Sequence, residues 1–199
     1  MSKTFPSSVV QEAYDCGIRE FGENKVQELL SKKKKLPGDI RWHLIGHLQT
    51  NKVKQVLGEV VLIHSLDRLS LVREIERQAE KKGIRQVDCL IQVNISREES
   101  KFGVLPEAIG PLVEAVSRDS VIKILGLMGI APFTEDEQQI RESFRMIRRV
   151  QDEMRSKFVF HKWDILSIGM TQDYCWAIEE GGNLIRIGSA VFGARSIQG

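Results

Sequence analysis

The chain has 199 residues, enough for one domain or two small ones with a buried core. Hydrophobic residues make up 42% and charged residues 28%, which is typical of a soluble globular protein. The net charge is only +2, and this balance argues against nucleic acid as the main partner, because backbone-binding proteins carry a strong basic excess. No segment reaches the roughly 20 apolar residues of a membrane span, and the first residues lack the pattern of a signal peptide.

The three cysteines, Cys16, Cys89 and Cys175, are odd in number and far apart. A disulfide framework or a four-cysteine zinc site requires closer, paired spacing. We therefore expect buried, reduced thiols in a cytoplasmic protein.

Short apolar runs alternate with longer amphipathic segments along the chain. Residues 1–3 stand where a first strand would end, and seven further strands are predicted at residues 18–21, 41–45, 60–64, 87–93, 122–127, 164–166 and 184–187. Helices are predicted at residues 7–16, 23–35, 48–57, 66–82, 106–117, 135–154 and 172–180. This alternation predicts a parallel sheet with crossover helices.

Eight strands would close into a single TIM-like (β/α)8 barrel domain over residues 1–199. No linker or low-complexity tract divides the chain, and a doubly wound open sheet remains the alternative. The front is short, because a strand of about 5–6 residues does not fit ahead of Lys3. Among the helix ends, Thr134 with Glu137 predicts a capping box, and the pair Gly181-Gly182 predicts a left-handed stop.

Two loops carry groups suited to an anion. Barrels of this type bind ligands at the carboxyl ends of the strands, often with phosphate after strands seven and eight. The first loop, LSIGMTQD at residues 166–173, supplies the hydroxyls of Ser167 and Thr171, the latter at the predicted helix start. In the second, RIGSAVFG at residues 186–193, Gly188 and Ser189 open a helical turn. Either loop alone is compatible with ordinary capping, but their joint position predicts a phosphate site.

Three further residues would face the same barrel mouth. Lys3 ends the predicted first strand, and a lysine amine beside a phosphate cradle suits an aldehyde-bearing phosphate cofactor, with a solvated lysine as the alternative. Arg186 could face the pyridine nitrogen of such a cofactor and keep it unprotonated, or form a salt bridge at the rim. Asn24 either binds the ligand or caps its helix.

The segment HLIGH places His43 and His47 at the spacing of a helical metal pair. The preceding strand and Gly46 argue against a helix there, and the acidic partner of a zinc protease is missing. We therefore expect no metal site.

The motifs of the chain, taken together, resemble those of the pyridoxal 5′-phosphate (PLP) homeostasis family, which comprises the YggS-like and PROSC-like proteins. They are SKTFP (2–6), FGENKVQE (21–28), WHLIGHLQTNK (42–52), HSLD (64–67), VNISREESKFG (93–103), GLMGIAP (126–132), LSIGMTQD (166–173) and IRIGSAVFG (185–193). The resemblance spans essentially the whole chain. It implies the barrel known as fold type III of PLP proteins, similar to the barrel domain of alanine racemase.

The resemblance also implies the site. Lys3 matches the lysine that forms the Schiff base with PLP, and Arg186 matches the arginine at the pyridine nitrogen. The remaining residues assigned to the cofactor are Asn24, Ser167, Met170, Thr171, Gly188 and Ser189. Family members carry a helix and nearly all of strand one before the lysine, whereas only Met1 and Ser2 precede it here. We therefore expect a barrel that lacks that helix and most of strand one.

The family is similar in being cytosolic and mostly monomeric, and in binding, buffering or delivering PLP without an established catalytic reaction. Apoenzymes that need PLP are the candidate recipients. The alternative is a PLP-dependent amino-acid racemase, which needs a second base; Tyr14 and Tyr174, the only tyrosines, lie in predicted helices. A barrel that serves as a protein-binding scaffold is a third class.

Overall fold

The computed structural model describes residues 1–98 and 100–193. Six strands of this part form one parallel sheet, namely β1 (Glu20–Glu23), β2 (Arg41–Leu44), β3 (Leu62–Leu66), β4 (Val87–Val93), β5 (Ile122–Gly129) and β6 (Ile165–Ser167). Their order in the sheet is their order in the chain. Each crossover therefore moves in the same direction, as in a partial TIM-like barrel, and the doubly wound alternative is excluded because its strand order reverses.

Helices follow the strands and cover the outside of the sheet. They are α1 (Ser7–Asp15), α2 (Val26–Lys33), α3 (Val53–Val56), α4 (Leu69–Lys82), α5 (Ile109–Glu114), α6 (Glu137–Lys157), α7 (Tyr174–Glu179) and α8 (Ser189–Phe192). Short 3-10 turns, Thr50–Lys52 and Pro106–Ala108, precede α3 and α5. In α4, Leu71, Val72, Ile75 and Ala79 are buried, and their three- and four-residue spacing places them on one face.

The ends of two helices test the predicted stop and start signals. The chain leaves α7 through Gly181, whose φ of 95° is left-handed, as predicted. The predicted capping box at α6 is wrong. The Asp136 side chain accepts hydrogen bonds from the main-chain N–H groups of Gln138 and Gln139, whereas the Thr134 hydroxyl accepts from Asp136 N. A carboxylate two residues closer to the helix therefore takes the capping role.

Residues 184–187 do not form the predicted strand. A single parallel bridge joins Leu184 to Ser167, and Arg186 N donates to Gly169 O at 2.9 Å. The ladder stays short because β6 has only three residues and the chain turns at Gly169, with φ of 85°. This segment nevertheless lies along β6, where the last strand of the barrel was expected.

Residues 1–3 form no strand either, but they occupy the gap between the two ends of the sheet. Ser2 N donates to Gly22 O of β1 at 3.0 Å, and the main-chain nitrogen of Met1 donates to Ile187 O. The ring of main-chain contacts therefore runs from β1 to β6, through residues 184–187, and back to β1 through Met1 and Ser2.

The core and surface correct one expectation about the cysteines. Cys89 lies buried within β4, but Cys16 and Cys175 are exposed, because each occupies the outer side or end of a helix. Among the helices of the described ranges, none has the length and hydropathy that a membrane crossing requires.

Gly126 provides a test of the β5–β6 contact. A Cβ built at this position would lie 1.8 Å from Ile165 O, and the φ of 148° is unfavourable for other residues. We expect Gly126→Ala to lower the free energy of unfolding by about 3 kcal/mol in urea titrations, because main chain must move. Gly38→Ala is the matched control, since a Cβ there meets nothing within 4 Å. Equal stability of the two variants would contradict the close approach.

Candidate functional site

The two loops predicted to hold phosphate are in contact at the carboxyl end of the sheet. Gly188 N donates to the Thr171 hydroxyl at 3.3 Å. A Cβ on Gly188 would stand 3.5 Å from Met1 O, so the start of the chain lies against the same loop. The structure thus brings together Thr171, Gly188 and the segment that carries Lys3.

Arg186 crosses the inside of the barrel beneath this contact. It is 4% exposed, and its Nη1 donates to both the main-chain oxygen and the hydroxyl of Ser167 at 2.7 Å. Its Nη2 donates to Gly129 O at 2.8 Å. Burial lowers the pKa of Arg186 to about 10, which leaves it a cation at neutral pH. The alternative of a rim salt bridge is wrong, because within the described ranges no carboxylate forms an ion pair with this guanidinium.

A buried ion pair fixes the residues on either side of Lys3. Lys32 Nζ donates to Ser2 O at 2.8 Å and to Glu23 Oε1 at 2.7 Å, while the Ser2 hydroxyl donates to the same carboxylate at 2.6 Å. On the other side, Thr4 N donates to Glu28 Oε1 at 2.7 Å. Lys3 itself is half-buried. The backbone of Lys3 is therefore held at the barrel mouth by side chains of β1 and α2.

Two predicted residues have different local surroundings from those expected. Thr171 does not begin a helix, since α7 starts at Tyr174; it lies in the preceding turn with its hydroxyl toward Gly188. Asn24 does not cap α2, whose N-cap is Lys25. It follows β1 directly, and a Cβ on Gly46 would lie 2.3 Å from Asn24 O, so only glycine allows this approach.

Met170 and Ser189 lie at the edges of the site. The Met170 carbonyl accepts from Tyr174 N at 2.9 Å, and the residue lines a cavity of about 630 Å³ together with Lys101, Phe133 and Trp176. Ser189 is the exposed first residue of α8. At the start of α8, Val191 N and Phe192 N donate to Gly188 O at 2.9 Å and 3.0 Å.

A row of polar side chains inside the barrel was not predicted from the sequence. The Ser167 hydroxyl lies 3.3 Å from His64 Nδ1, His64 Nε2 lies 2.9 Å from His43 Nδ1, and His43 Nε2 lies 2.5 Å from Glu20 Oε2. Burial is the largest cause that lowers the pKa of both histidines, and for His64 the cations of His43 and Arg186 would add to it. The sequence did contain a signal for this row, because each of the successive strands β1, β2 and β3 carries one of its polar residues, Glu20, His43 and His64.

His43 and His47 do not form a metal pair. His43 faces His64, whereas His47 Nδ1 lies 3.2 Å from Asp67 Oδ2 and its ring stacks on Phe102. No metal-binding group of three or more ligands occurs in the ranges that the structure describes. The strand that ends at Leu44 separates the two histidines, as their sequence context predicted.

The tyrosines do not meet at the loop contact. The Tyr14 hydroxyl donates to Asp39 Oδ1 at 2.7 Å, and Asp39 precedes β2, at the amino ends of the strands. Tyr174 begins α7. Neither hydroxyl forms a hydrogen bond with Ser167, Arg186 or Gly188, as far as the described residues go.

The sequence matches the family described as the alanine racemase N-terminal domain over residues 7–196. It is 47% identical to the pyridoxal phosphate homeostasis protein of Aquifex aeolicus over 195 residues, which cover 98% of this chain and 85% of that protein. The protein of the same name from Pseudomonas aeruginosa is 36% identical over 196 residues, with 98% and 83% covered.

Solved structures give the same grouping. The fold superposes on PipY of Synechococcus elongatus with PLP bound at a TM-score of 0.87 and 32% identity, covering 96% of this chain and 90% of that one. An alanine racemase of Clostridium difficile aligns at a TM-score of 0.73 and 11% identity, covering 95% of this chain and 49% of that one, and shows the fold alone.

The buried histidines predict a pH dependence of stability. His64 and His43 have lowered pKa values in the folded chain and about 6.5 in the unfolded chain. The unfolded chain therefore binds more protons between these values, and the free energy of unfolding falls as the pH drops below about 6.5, by up to about 1.4 kcal/mol per pH unit and histidine.

Urea titrations from pH 8 to pH 5 measure this slope. We expect His64→Gln to reduce it, because the amide does not titrate. A variant with the same slope as the parent would show that His64 binds protons equally in the folded and unfolded chains, which would contradict its lowered pKa.

Proposed function

The chain belongs to the pyridoxal phosphate homeostasis proteins of the alanine racemase N-terminal domain family, and we propose that it binds PLP at the mouth of the barrel. The observation that carries the proposal is the meeting of three elements at one point: the loop of Thr171, the loop of Gly188 and the segment of Lys3. A phosphate, a ring nitrogen and an aldehyde need partners within one ligand length, and these elements supply them.

The loop contact suits the phosphate. We assign the hydroxyls of Thr171 and Ser189 and the N–H groups at the start of α8 as its donors. A side chain at Gly188 would stand in ordinary contact with the start of the chain, since a Cβ there lies 3.5 Å from Met1 O. Main-chain N–H groups at a helix start and neutral hydroxyls hold a dianion without a lysine.

Arg186 suits the ring nitrogen. A guanidinium has five N–H donors, and three of them are used by Ser167 and Gly129. The other two are available to an acceptor such as an unprotonated pyridine nitrogen. Because Arg186 is a buried cation that only donates, it would disfavour a proton on that nitrogen. Ser167, Met170 and Asn24 complete the assigned contacts.

Lys3 suits the aldehyde. The bound cofactor supplies an aldehyde that condenses with a primary amine. Lys3 is the amine that we assign. The hydrogen bonds of Ser2 and Thr4 on either side of it leave its main chain little freedom at the barrel mouth. Among the described residues that we assign to the cofactor, none supplies a second base at the opposite face of the ring. We therefore propose a protein that binds, buffers or delivers PLP. We further propose that it is a cytoplasmic monomer with PLP-dependent apoenzymes as recipients.

Covalent labelling tests the attachment residue. The purified protein is mixed with PLP, reduced with borohydride, digested and analysed by mass spectrometry. We expect the pyridoxyl group on Lys3 and a yellow solution before reduction. Lys3→Ala should lose the colour, whereas Lys35→Ala, which alters an exposed lysine after α2, should keep it. A label confined to other lysines would overturn the assignment of Lys3.

Proton exchange tests the non-catalytic role. With PLP bound, we expect L- and D-alanine in deuterated water to keep their α-protons over hours, as read by NMR, because a general base is missing from one face. Loss of the α-proton at an enzyme-like rate of about 1 s⁻¹ or faster would favour the racemase alternative.

A further inference from the structure

The row of polar groups inside the barrel is continuous from the mouth to the opposite end. It begins at Arg186 Nη1, which donates to the Ser167 hydroxyl at 2.7 Å, and passes through His64 and His43. It ends at Glu20, whose side chain is 52% exposed and also pairs with Arg41. A cavity of about 60 Å³ lined by Met1, His43, His64 and Arg186 runs beside it. These five groups therefore connect a buried cation with a carboxylate at the surface.

The chemistry of the two ends sets one direction for every hydrogen bond. Arginine only donates, so the Ser167 oxygen accepts from it and the hydroxyl proton remains for His64 Nδ1. A carboxylate only accepts, so His43 Nε2 carries a proton toward Glu20. Burial keeps both histidines neutral, which leaves one proton on each ring. The remaining bond must then run from His64 Nε2–H to His43 Nδ1, and both ends give the same assignment.

This direction explains how the barrel tolerates a guanidinium that forms no ion pair among the described residues, in addition to the electrostatic effect of the nearby Asp173 carboxylate. Buried charges usually have an ionised partner, and those without one depend on aligned dipoles. Here the O–H of Ser167 and the N–H of both rings all point from Arg186 toward Glu20. Each group polarises the next, so the acceptor strength of Ser167 depends on His64 behind it.

We infer that His64, supported by His43 and Glu20, is a positioning residue that holds Ser167 and Arg186 in place to receive the ring nitrogen of PLP. The inference rests on the proposed function. His64 does not touch the cofactor in this scheme. It fixes the hydroxyl proton of Ser167, which in turn fixes the plane of the guanidinium and directs its unused N–H groups to the mouth.

A cofactor analogue separates this role from a general structural one. In the deaza analogue of PLP, a C–H group replaces the ring nitrogen, while the phosphate and aldehyde remain. We expect the parent protein to bind PLP about tenfold more tightly than the analogue, because the analogue leaves an arginine donor without an acceptor. In His64→Leu, the affinity for PLP should fall about tenfold and that for the analogue less than twofold, so the preference disappears.

Three further variants complete the design. His64→Gln keeps an acceptor and a donor and should retain most of the preference. Glu20→Ala, at a half-exposed position where the fold tolerates change, should lower PLP affinity about threefold with the analogue unaffected, and it decides the question if His64→Leu does not fold. Asp39→Asn is the matched control, because this acid pairs with Arg19 at the same end of the barrel but lies outside the row.

The outcomes are distinct. Equal weakening of both ligands in His64→Leu or Glu20→Ala would mean a structural role and overturn the inference, as would unchanged binding of both. A parent protein that binds PLP and the analogue equally, with both attached at Lys3, would overturn the inference and leave the proposed function standing. A parent protein that binds neither ligand would refute the proposed function itself.

Discussion

The fixed position of Ser2, set by its hydrogen bonds, is the constraint on which the candidate site depends. Lys32 and Glu23, both buried, contact its carbonyl and hydroxyl, and Gly22 accepts from its main-chain N–H. Buried ion pairs add little net stability, but removing one partner is costly because the other charge is left unpaired. The main effect of the Lys32–Glu23 ion pair is therefore to fix the position of Ser2. It fixes the main chain beside Lys3, in the segment whose Met1 carbonyl lies against the loop of Gly188.

Arg186 is also a buried charge, and its compensation is of a different kind. Lys32 has carboxylates, whereas Arg186 has two carbonyls, one hydroxyl and the row of neutral side chains behind it. Its hydrogen-bond partners are thus neutral, and the buried carboxylate of Asp173 acts on it only electrostatically, with no hydrogen bond between the two in the part of the chain that the structure describes.

Most of the fold could be predicted from the sequence because its strands are buried apolar runs. β4 was predicted with its observed bounds, since residues 87–93 are almost uniformly apolar. β1 was placed two residues early because the real strand, EFGE, carries acids that the apolar pattern does not include. Residues 184–187 have the composition of a strand, but β6 is too short to pair with them, and a neighbour's length is not visible in a local pattern.

The candidate site likewise has one part that could be predicted from the sequence and one part that could not. The loops of Thr171 and Gly188 were predicted because hydroxyls and glycines after successive strands are a local signal. The row from Glu20 to Arg186 was not, because each member is an ordinary polar residue in its local sequence and the contacts join residues 19 to 103 positions apart.

The sequential strand order has a consequence for the time at which the site exists. Each neighbouring pair of strands forms from a nearby stretch of chain, so the sheet can grow stepwise from its amino-terminal end. The contact of Met1 with Ile187 instead spans 186 positions, so it can form only after all six strands have been synthesised. A ribosome-bound chain therefore has neither the closed ring of main-chain contacts nor the contact between the loops of Thr171 and Gly188 until Ile187 and Gly188 have been synthesised.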